Sequence, residues 1–161
     1  MKVLIVSDSH KHDENLEKVL NKVKPIDMMI HCGDAEGTEE HIREMCECPL
    51  YIVAGNNDFF TRLNKELEIN IGEYRAFITH GHNYYVSMGV ERLYEEAKLR
   101  GVDIAIFGHT HRPVIEVRDD VVIINPGSIS YPRQDGRIPT YVVMEIDSSG
   151  DAQYTLNYLE K

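Results

Sequence analysis

"IFGHTH", residues 106–111, is an apolar run that ends at Gly108 and then places His109 and His111 on either side of Thr110. Similar short apolar runs recur along the chain, and each of them ends in Asp, His or Asn. Their Val, Ile and Leu content is typical of buried β-strands. We therefore predict strands that end in polar side chains at "KVLIVSDSH" (2–10), "DMMIHCGD" (27–34), "LYIVAGNND" (50–58), "RAFITHGH" (75–82) and "DIAIFGHTH" (103–111).

Helical patterns separate several of these strands. Apolar residues recur at helical spacing from Leu16 to Val23, and Pro25 is expected to end that helix. A second helix is predicted after Ser87, which we expect to cap it, and a shorter one after Thr38. Strands that alternate with helices favour an α/β fold with parallel pairing.

The second half of the chain has a different pattern. Residues 114–118 and 121–125 flank Asp119 and Asp120, and residues 140–146 and 153–159 flank "DSSGD", as in two hairpins. We predict that these hairpins form a second, largely antiparallel sheet packed on the first. The length of 161 residues fits a single domain spanning 1–161.

The composition excludes several classes of protein. The net charge is −10, from 27 acidic against 17 basic residues, and no basic run stands out, so long duplex nucleic acid is a poor partner. No segment is long and apolar enough for a membrane span, and the start does not resemble a signal peptide, so a cytoplasmic location is expected. Cys32, Cys46 and Cys48 are then expected to be reduced thiols.

The polar strand ends predict a ligand site. In open α/β sheets, ligands bind beyond the carboxyl ends of the strands, where neighbouring loops converge. Two carboxylates, one amide and four imidazoles suit borderline divalent transition metals, whereas magnesium or calcium would favour an all-oxygen set. The candidate metal ligands are Asp8, His10, Asp34, Asn56, His80, His109 and His111.

Five short motifs occur in a fixed order: D-x-H at Asp8, G-D at Gly33, G-N at Gly55, H-G at His80 and G-H-x-H at Gly108. In this order they resemble the signatures of the calcineurin-like metallophosphoesterases. The wording "HCGD", "GNND", "THGH", "GHTH" and "NPGS" is most similar to the small YfcE-type phosphodiesterases. The resemblance implies an α/β fold, a four-layer α-β-β-α sandwich of two mixed sheets flanked by helices.

The resemblance also implies a dinuclear centre and a reaction. One metal would take Asp8, His10, Asp34 and His111, and the other Asp34, Asn56, His80 and His109, with Asp34 bridging. Manganese is the favoured ion, and nickel, iron or zinc is compatible with the ligands. Such enzymes cleave phosphodiester bonds through a metal-bridging hydroxide, here in a small or nucleotide-like substrate.

One position departs from the wider family, in which a histidine after the G-N asparagine protonates the leaving oxygen. This chain has Asn57 there, followed by Asp58, and asparagine does not titrate near neutral pH. We expect a preference for activated esters and a rate gain on alkyl esters from Asn57→His. The candidate catalytic residues are therefore Asp34, Asn57 and Asp58.

Substrate contacts are expected from Asn57, His82, Asn125 and Ser128, although a tight turn equally explains Asn125 and Ser128 of "NPGS". Arg133 is the one cation nominated for a phosphate oxygen, against the alternative of a solvated surface residue. His31 is expected to support the site or the core without ligating metal.

Two other functions compete with the phosphodiesterase. A non-catalytic scaffold, similar to the retromer subunit of this fold, is the main alternative, but all seven ligand positions are filled here. A nuclease is the second, and the acidic charge argues against large DNA as its substrate. Self-association into a homo-oligomer is compatible with either.

Overall fold

The computed structural model describes residues 1–160, which form ten strands and three helices. The strands are Lys2–Val6 (β1), Met28–His31 (β2), Leu50–Ile52 (β3), Glu66–Ile71 (β4), Tyr74–Thr79 (β5), Ile104–Ile106 (β6), Pro113–Arg118 (β7), Val121–Pro126 (β8), Thr140–Ile146 (β9) and Ala152–Tyr158 (β10). The helices are Glu14–Val23 (α1), Glu39–Met45 (α2) and Glu91–Arg100 (α3).

The strands form two mixed five-stranded sheets. The first has the order β10-β9-β1-β2-β3, and the second has the order β4-β5-β6-β8-β7. Strands β1, β2 and β3 are mutually parallel, as are β5, β6 and β8, while β4, β7, β9 and β10 run antiparallel to their neighbours. The carboxyl ends of the parallel strands therefore carry the polar motifs.

The side chains of the central strands alternate between a core that lies between the sheets and an outer core. Val3 and Ile5 of β1 face the second sheet and pack in one cluster with Ile78 and Ile106. Their neighbours in β1 face outward, where they pack on α1, and the outer face of the second sheet packs on α3. Burial on both faces explains the uninterrupted apolar runs. The predicted four-layer sandwich is confirmed.

The prediction of a separate antiparallel sheet from the second half is wrong. The β9–β10 hairpin extends the first sheet, where Val3 pairs with Met144, and the β7–β8 hairpin joins the second sheet, where β8 is parallel to β6. Residues Thr140 to Met144 of β9 are buried throughout. A strand without alternating polarity carries no signal for which sheet it enters.

One helix end differs from prediction and another agrees with it. Helix α3 begins at Glu91 after Val90, whereas Ser87 lies in a single 3-10 turn before it, so the predicted cap at Ser87 is wrong. Helix α1 ends at Val23, as Pro25 predicted. No helix within residues 1–160 has both the length and the apolar content to cross a bilayer.

Candidate metal centre

All seven predicted ligands lie just beyond the carboxyl ends of strands β1, β2, β3, β5 and β6. The first sheet supplies both carboxylates, and the second supplies three of the four imidazoles. The facing sheets thus close one site from two sides: Asp8, His10, Asp34 and Asn56 from the first sheet, and His80, His109 and His111 from the second.

The backbone at these positions is unusual. Five of the seven ligands have φ in the left-handed region, which side chains other than glycine rarely adopt. Each such residue costs on the order of 1 kcal/mol and is typical of functional sites. These residues are Asp8 (φ 55), His10 (φ 47), Asp34 (φ 59), His109 (φ 70) and His111 (φ 56).

One group of possible ligand atoms comes from Asp8, His10 and His111. The Nε2 atoms of His10 and His111 lie 3.1 Å apart, and Asp8 Oδ1 lies 3.3 Å from His111 Nε2 and 3.8 Å from His10 Nε2. Asp34 Oδ2 is 3.8 Å from His10 Nε2. Asp8, His10 and His111 thus lie around one point, and Asp34 approaches this group through His10.

A second group contains Asp8, Asp34 and His80. His80 Nε2 lies 3.3 Å from Asp34 Oδ2 and 3.8 Å from Asp8 Oδ1. Asn56 Oδ1 is 2.9 Å from His80 Nε2 and 3.0 Å from His109 Nδ1. Asp8 as well as Asp34 therefore lies between the two groups, whereas the sequence motifs pointed to Asp34 alone.

The outer nitrogens of two histidines are held by backbone carbonyls. His80 Nδ1 lies 2.7 Å from the carbonyl oxygen of Cys32, and His111 Nδ1 lies 2.7 Å from that of Tyr131. Because a carbonyl only accepts, each Nδ1 donates its hydrogen, and Nε2 faces the cluster. Nε2 carries a hydrogen when the ring is protonated and offers a lone pair to a metal when the ring is neutral. This arrangement is typical of histidines that bind metal.

The carboxylates are ionised. Burial by itself would raise the pKa of Asp34, but hydrogen bonding from His80 and Asn57 holds that pKa well below its usual value. Burial likewise opposes ionisation of Asp8, and its interactions with His111 and His80 lower the pKa. For His80, burial is outweighed by the hydrogen bond to Asp34 and by both carboxylates, which raise the pKa.

One atom tests whether these residues fit a cation. Asp8 Oδ1 is buried and accepts no hydrogen bond from residues 1–160, although it faces three imidazole nitrogens within 3.8 Å. An anionic oxygen buried without a donor is costly unless a cation neutralises it. The mixed nitrogen and oxygen set suits a divalent transition metal, so the residues fit the metal that the motifs imply.

Asn57 and Asp58 hold the loops around Asp34. The backbone and side-chain amides of Asn57 donate to the two oxygens of Asp34, both at 2.9 Å. The Asp58 carboxylate accepts backbone N–H groups from Asp34, Glu36 and Gly55 at 2.6–2.8 Å. The sequence listed Asp58 with the catalytic candidates, but these contacts make it a positioning residue for the loops.

Asn125 and Ser128 are buried, with internal partners. Asn125 donates to the Gly108 carbonyl and to Thr110 Oγ1, and so braces the loop of His109 and His111. Ser128 donates to the Asp8 carbonyl and accepts from the amide of Tyr131. Neither side chain is open to a substrate, so the structure gives them supporting contacts where substrate contacts were expected.

Two further histidines lie near the ligands. His82 is partly exposed, with ring centroids 5.5 Å from His80 and 6.0 Å from His109, so it borders the site. Burial lowers the pKa of His82. His31 is fully buried and contacts Ser9 Oγ and the Gly33 amide, which agrees with its expected supporting role.

A cavity of about 780 Å³ opens beside the cluster. His10 and His111 form one wall, and Arg133 lies in another. The sequence reasoning nominated Arg133 but missed the neighbours that the fold brings to it. Arg112 directly follows a ligand histidine and Glu36 lies two residues after Asp34, so the motifs gave a signal for both. The other lining residues are separated from the ligand motifs: Tyr131, Pro132 and Arg137.

This geometry agrees with comparisons to known proteins. Residues 1–149 match the model of the calcineurin-like phosphoesterase superfamily domain. The chain belongs to this superfamily. The resemblance seen in the motifs is thereby confirmed, and membership supports a phosphoesterase that depends on metal.

Named relatives cover most of the chain. The probable metallophosphoesterase YsnB of Bacillus subtilis is 36% identical over 149 residues, which are 92% of this chain and 86% of that protein. A phosphodiesterase of Methanocaldococcus jannaschii is 34% identical over 146 residues, covering 79% of this chain and 83% of that protein.

A crystal structure of a single mutant of Vps29 from Entamoeba histolytica has the same fold. It superposes with a TM-score of 0.80 at 23% identity and covers 99% of this chain and all of that one. At this identity the likeness concerns the fold alone.

Proposed function

We propose that this chain is a phosphodiesterase that hydrolyses a small or nucleotide-like phosphodiester with two divalent transition-metal ions. The observation that carries the proposal is Asp8 Oδ1, an anionic oxygen buried without a hydrogen-bond donor among residues 1–160 and surrounded by imidazole nitrogens. Only a cation satisfies such an atom together with the lone pairs that face it. Manganese is favoured, and nickel, iron or zinc also suits these ligands.

The ligands divide between two ions. Around one we place Asp8, His10 and His111, with Asp34 in reach, and around the other we place Asp34, Asn56, His80 and His109. Bound divalent cations would supply Lewis acidity, which stabilises negative charge on phosphoryl oxygens and lowers the pKa of water. They would also make the pocket of this acidic protein positive, so that a phosphoester can enter.

The chain's own contribution is orientation. Asn57 fixes both oxygens of Asp34, and the Cys32 and Tyr131 carbonyls fix the rings of His80 and His111. Asn57 has no proton to release near neutral pH, so it is suited to hold Asp34 and not to protonate a leaving group. We therefore expect activated esters to react fastest.

The scaffold alternative is favoured only by the fold that the chain shares with Vps29. A scaffold needs no buried, unpaired carboxylate and no run of left-handed ligands, both of which lower stability. A cytoplasmic location and self-association stay predictions from the sequence.

The proposal is tested by metal content and hydrolysis together. Bound metal is quantified by elemental analysis, and rates on bis-p-nitrophenyl phosphate and p-nitrophenyl phosphate are compared with added manganese or nickel. Asp34→Ala should lose both metal and rate. The matched control is Asp103→Ala, because Asp103 also accepts a backbone amide, from Arg75 at 2.8 Å, but lies outside the cluster.

Two results would contradict the proposal. Full metal content and rate in Asp34→Ala would remove Asp34 from the centre. A wild-type protein that binds metal stoichiometrically but cleaves neither ester would favour the scaffold.

A further inference from the structure

The cavity beside the metal centre is larger than a phosphodiester group requires. Its volume of about 780 Å³ lies within the range of small-molecule sites, about 300–1,000 Å³. His10 and His111 reach it from the centre, so a reacting phosphate there would have the rest of its molecule inside the cavity. The remaining walls therefore bear on the identity of the substrate.

These walls are positive in a protein of net charge −10. Three arginines line the cavity, Arg112, Arg133 and Arg137, against one glutamate, Glu36. Glu36 Oε2 already lies 3.5 Å from His10 Nδ1. Within residues 1–160 none of the three guanidinium groups forms an ion pair, in contrast to Arg100, which binds three carboxylates. The cavity thus offers positive charge that the protein itself does not neutralise.

The segment that carries two of the arginines is fixed to the metal centre. The Arg133 amide donates to the His111 carbonyl at 2.9 Å, and the Tyr131 amide donates to Ser128 Oγ at 2.7 Å. Ser128 in turn donates to the Asp8 carbonyl. The backbone before the guanidinium groups is therefore held at a defined position relative to two ligands.

An aromatic side chain, that of Tyr131, also lines the cavity. Tyr131 is 47% exposed, and its ring centroid is 5.5 Å from that of His10 and 5.4 Å from that of His12, both in edge arrangements. An exposed aromatic ring in a ligand cavity provides a stacking surface for a base or another planar group.

We propose that this cavity binds a second anionic group of the substrate, and that the substrate is a nucleotide-like diester bearing an additional phosphate. The reacting diester lies beside His10 and His111, the base stacks on Tyr131, and the second phosphate binds Arg133 and Arg137. A guanidinium group donates two parallel N–H···O bonds to a phosphate, which makes this subsite selective for phosphate. This inference rests on the proposed phosphodiesterase function.

Arg137 is the most specific probe of the subsite. Arg112 and Arg133 also border a second cavity, which contacts Val86 and Asn125, whereas Arg137 lines only the first of these two. An effect of Arg137 therefore assigns the binding to the cavity next to His10.

Binding is measured with the manganese-loaded protein by isothermal titration calorimetry. The two probes are thymidine 3′,5′-bisphosphate and thymidine 5′-monophosphate, which differ only in the second phosphate. We expect the bisphosphate to bind about tenfold more tightly, as charge-assisted bonds of this kind predict. Arg137→Gln should reduce that ratio, and Arg133→Gln/Arg137→Gln should bring it close to one.

Two matched variants make the result specific. Arg43→Gln/Arg62→Gln changes the net charge equally at exposed positions outside the cavity and should keep the ratio. Tyr131→Leu should weaken both nucleotides, whereas Tyr131→Phe should retain their affinity. Circular dichroism checks that each variant folds. Arg137→Lys, which keeps the charge, should keep part of the preference for the bisphosphate over the monophosphate.

The outcomes separate this inference from the proposed function. Equal affinity for the two nucleotides in the wild type, or an unchanged ratio in the double variant, would overturn the subsite even if bis-p-nitrophenyl phosphate is hydrolysed. A preference that depends on Arg137 supports the subsite. If the p-nitrophenyl esters of both nucleotides then resist hydrolysis, it is the phosphodiesterase function that fails.

Discussion

Two clusters of charged side chains in this molecule are built in opposite ways. Around Arg100 of α3, the guanidinium group contacts Glu66, Glu68 and Glu96 at 2.7–3.0 Å and stacks 4.0 Å from the centre of the Phe77 ring. In the metal centre, Asp8 Oδ1 is more deeply buried and accepts no hydrogen bond from residues 1–160. In the first cluster every carboxylate contacts a cation, whereas in the second Asp8 Oδ1 has no hydrogen-bond donor among residues 1–160.

The difference shows which cluster requires a ligand. Partly exposed ion pairs such as those of Arg100 contribute about 0.2–1 kcal/mol each. A buried carboxylate oxygen without a hydrogen-bond donor lowers stability. Asp8 Oδ1 differs from the unbonded Oδ1 of Asp13 because it faces three imidazole nitrogens within 3.8 Å, which can bind the same cation. The chain pairs charges within itself where structure is the only need, and leaves Asp8 open to a cation.

The backbones of the two clusters differ in the same sense. The Arg100 cluster is carried by regular elements, β4 and α3. The metal centre holds Asp8, Asp34 and His111 in left-handed conformations. Backbone strain is concentrated at the candidate metal centre and absent from the Arg100 cluster. This indicates that the loop conformations serve to position the ligand side chains.

The largest predicted effect comes from making Asp8 neutral. Asp8→Asn should lower kcat/KM on bis-p-nitrophenyl phosphate by about a thousandfold, because Lewis-acid stabilisation is worth several kcal/mol. The metal-free variant should be no less stable than the metal-free wild type, since an amide at Oδ1 would donate to His111 Nε2, 3.3 Å away. Steady-state kinetics, elemental analysis and thermal melting measure these quantities.

Asp13→Asn is the control for this substitution. Asp13 is also a buried aspartate with an unbonded Oδ1, but it precedes α1 and contributes to neither ligand group. It should retain metal and rate. If Asp8→Asn destabilised the metal-free protein by as much as it impairs binding, Asp8 would be structural and the contrast with the Arg100 cluster would fail.

A smaller but still large effect should follow from one added methyl group. A Cβ at Gly55 would lie 2.0 Å from Asp34 Oδ1, so Gly55→Ala must displace that ligand. A misplacement of about 1 Å at a reacting centre costs on the order of a hundredfold in rate. Kinetics at saturating manganese measure the loss.

Gly150→Ala provides the comparison, because nothing lies within 4 Å of its Cβ and its φ of 88° strains the backbone far from the centre. It should lower thermal stability and leave the rate unchanged. An unaffected rate in Gly55→Ala would mean that the position of Asp34 tolerates more freedom than the left-handed loops indicate.

The convergence of the candidate ligands was predictable from sequence because each of them follows a strand. Polar residues that end buried strands meet at one edge, and this rule alone placed Asp8, Asp34 and His80 together. The four layers were implied by the resemblance of the motifs to the family. The destination of β9 did not follow, because a strand buried on both faces has no periodicity to mark its neighbours.

The supporting contacts could not be read from the sequence. Asn125 and Ser128 were expected at the substrate, but their side chains turn inward to the Gly108 and Asp8 carbonyls. These hydrogen bonds join residues 17 and 120 positions apart and depend on loop geometry, which a motif does not encode. For the same reason the sequence did not predict that Tyr131 and Arg137 line the cavity. Only the folding of segment 128–137 brings them close to His10 and His111.

A tenfold effect on metal affinity is expected when Asp34 loses the hydrogen bond from the Asn57 side chain. Asn57→Ala removes the side-chain donor to Asp34 Oδ2 and should weaken metal affinity about tenfold or more, as loss of such partners does elsewhere. Titration of the metal-free protein with manganese measures it. Asn157→Ala, which removes an amide bonded to the Thr155 carbonyl on exposed β10, should change nothing. Equal affinities in Asn57→Ala and wild type would show that the backbone amide of residue 57 suffices.

The smallest predicted effect comes from a substitution in the Arg100 cluster. Arg100→Met should lower the free energy of unfolding by about 1–2 kcal/mol, because three carboxylates lose a partly exposed partner, and high salt should narrow the difference. Arg43→Met, which breaks one exposed contact with Glu40, should cost less. Chemical denaturation measures both, and metal affinity should stay at the wild-type value.

Phe77 beneath Arg100 lies three residues before His80 in the chain. A fall in metal affinity in Arg100→Met would therefore mean that β5 transmits strain between the clusters and that they are not independent.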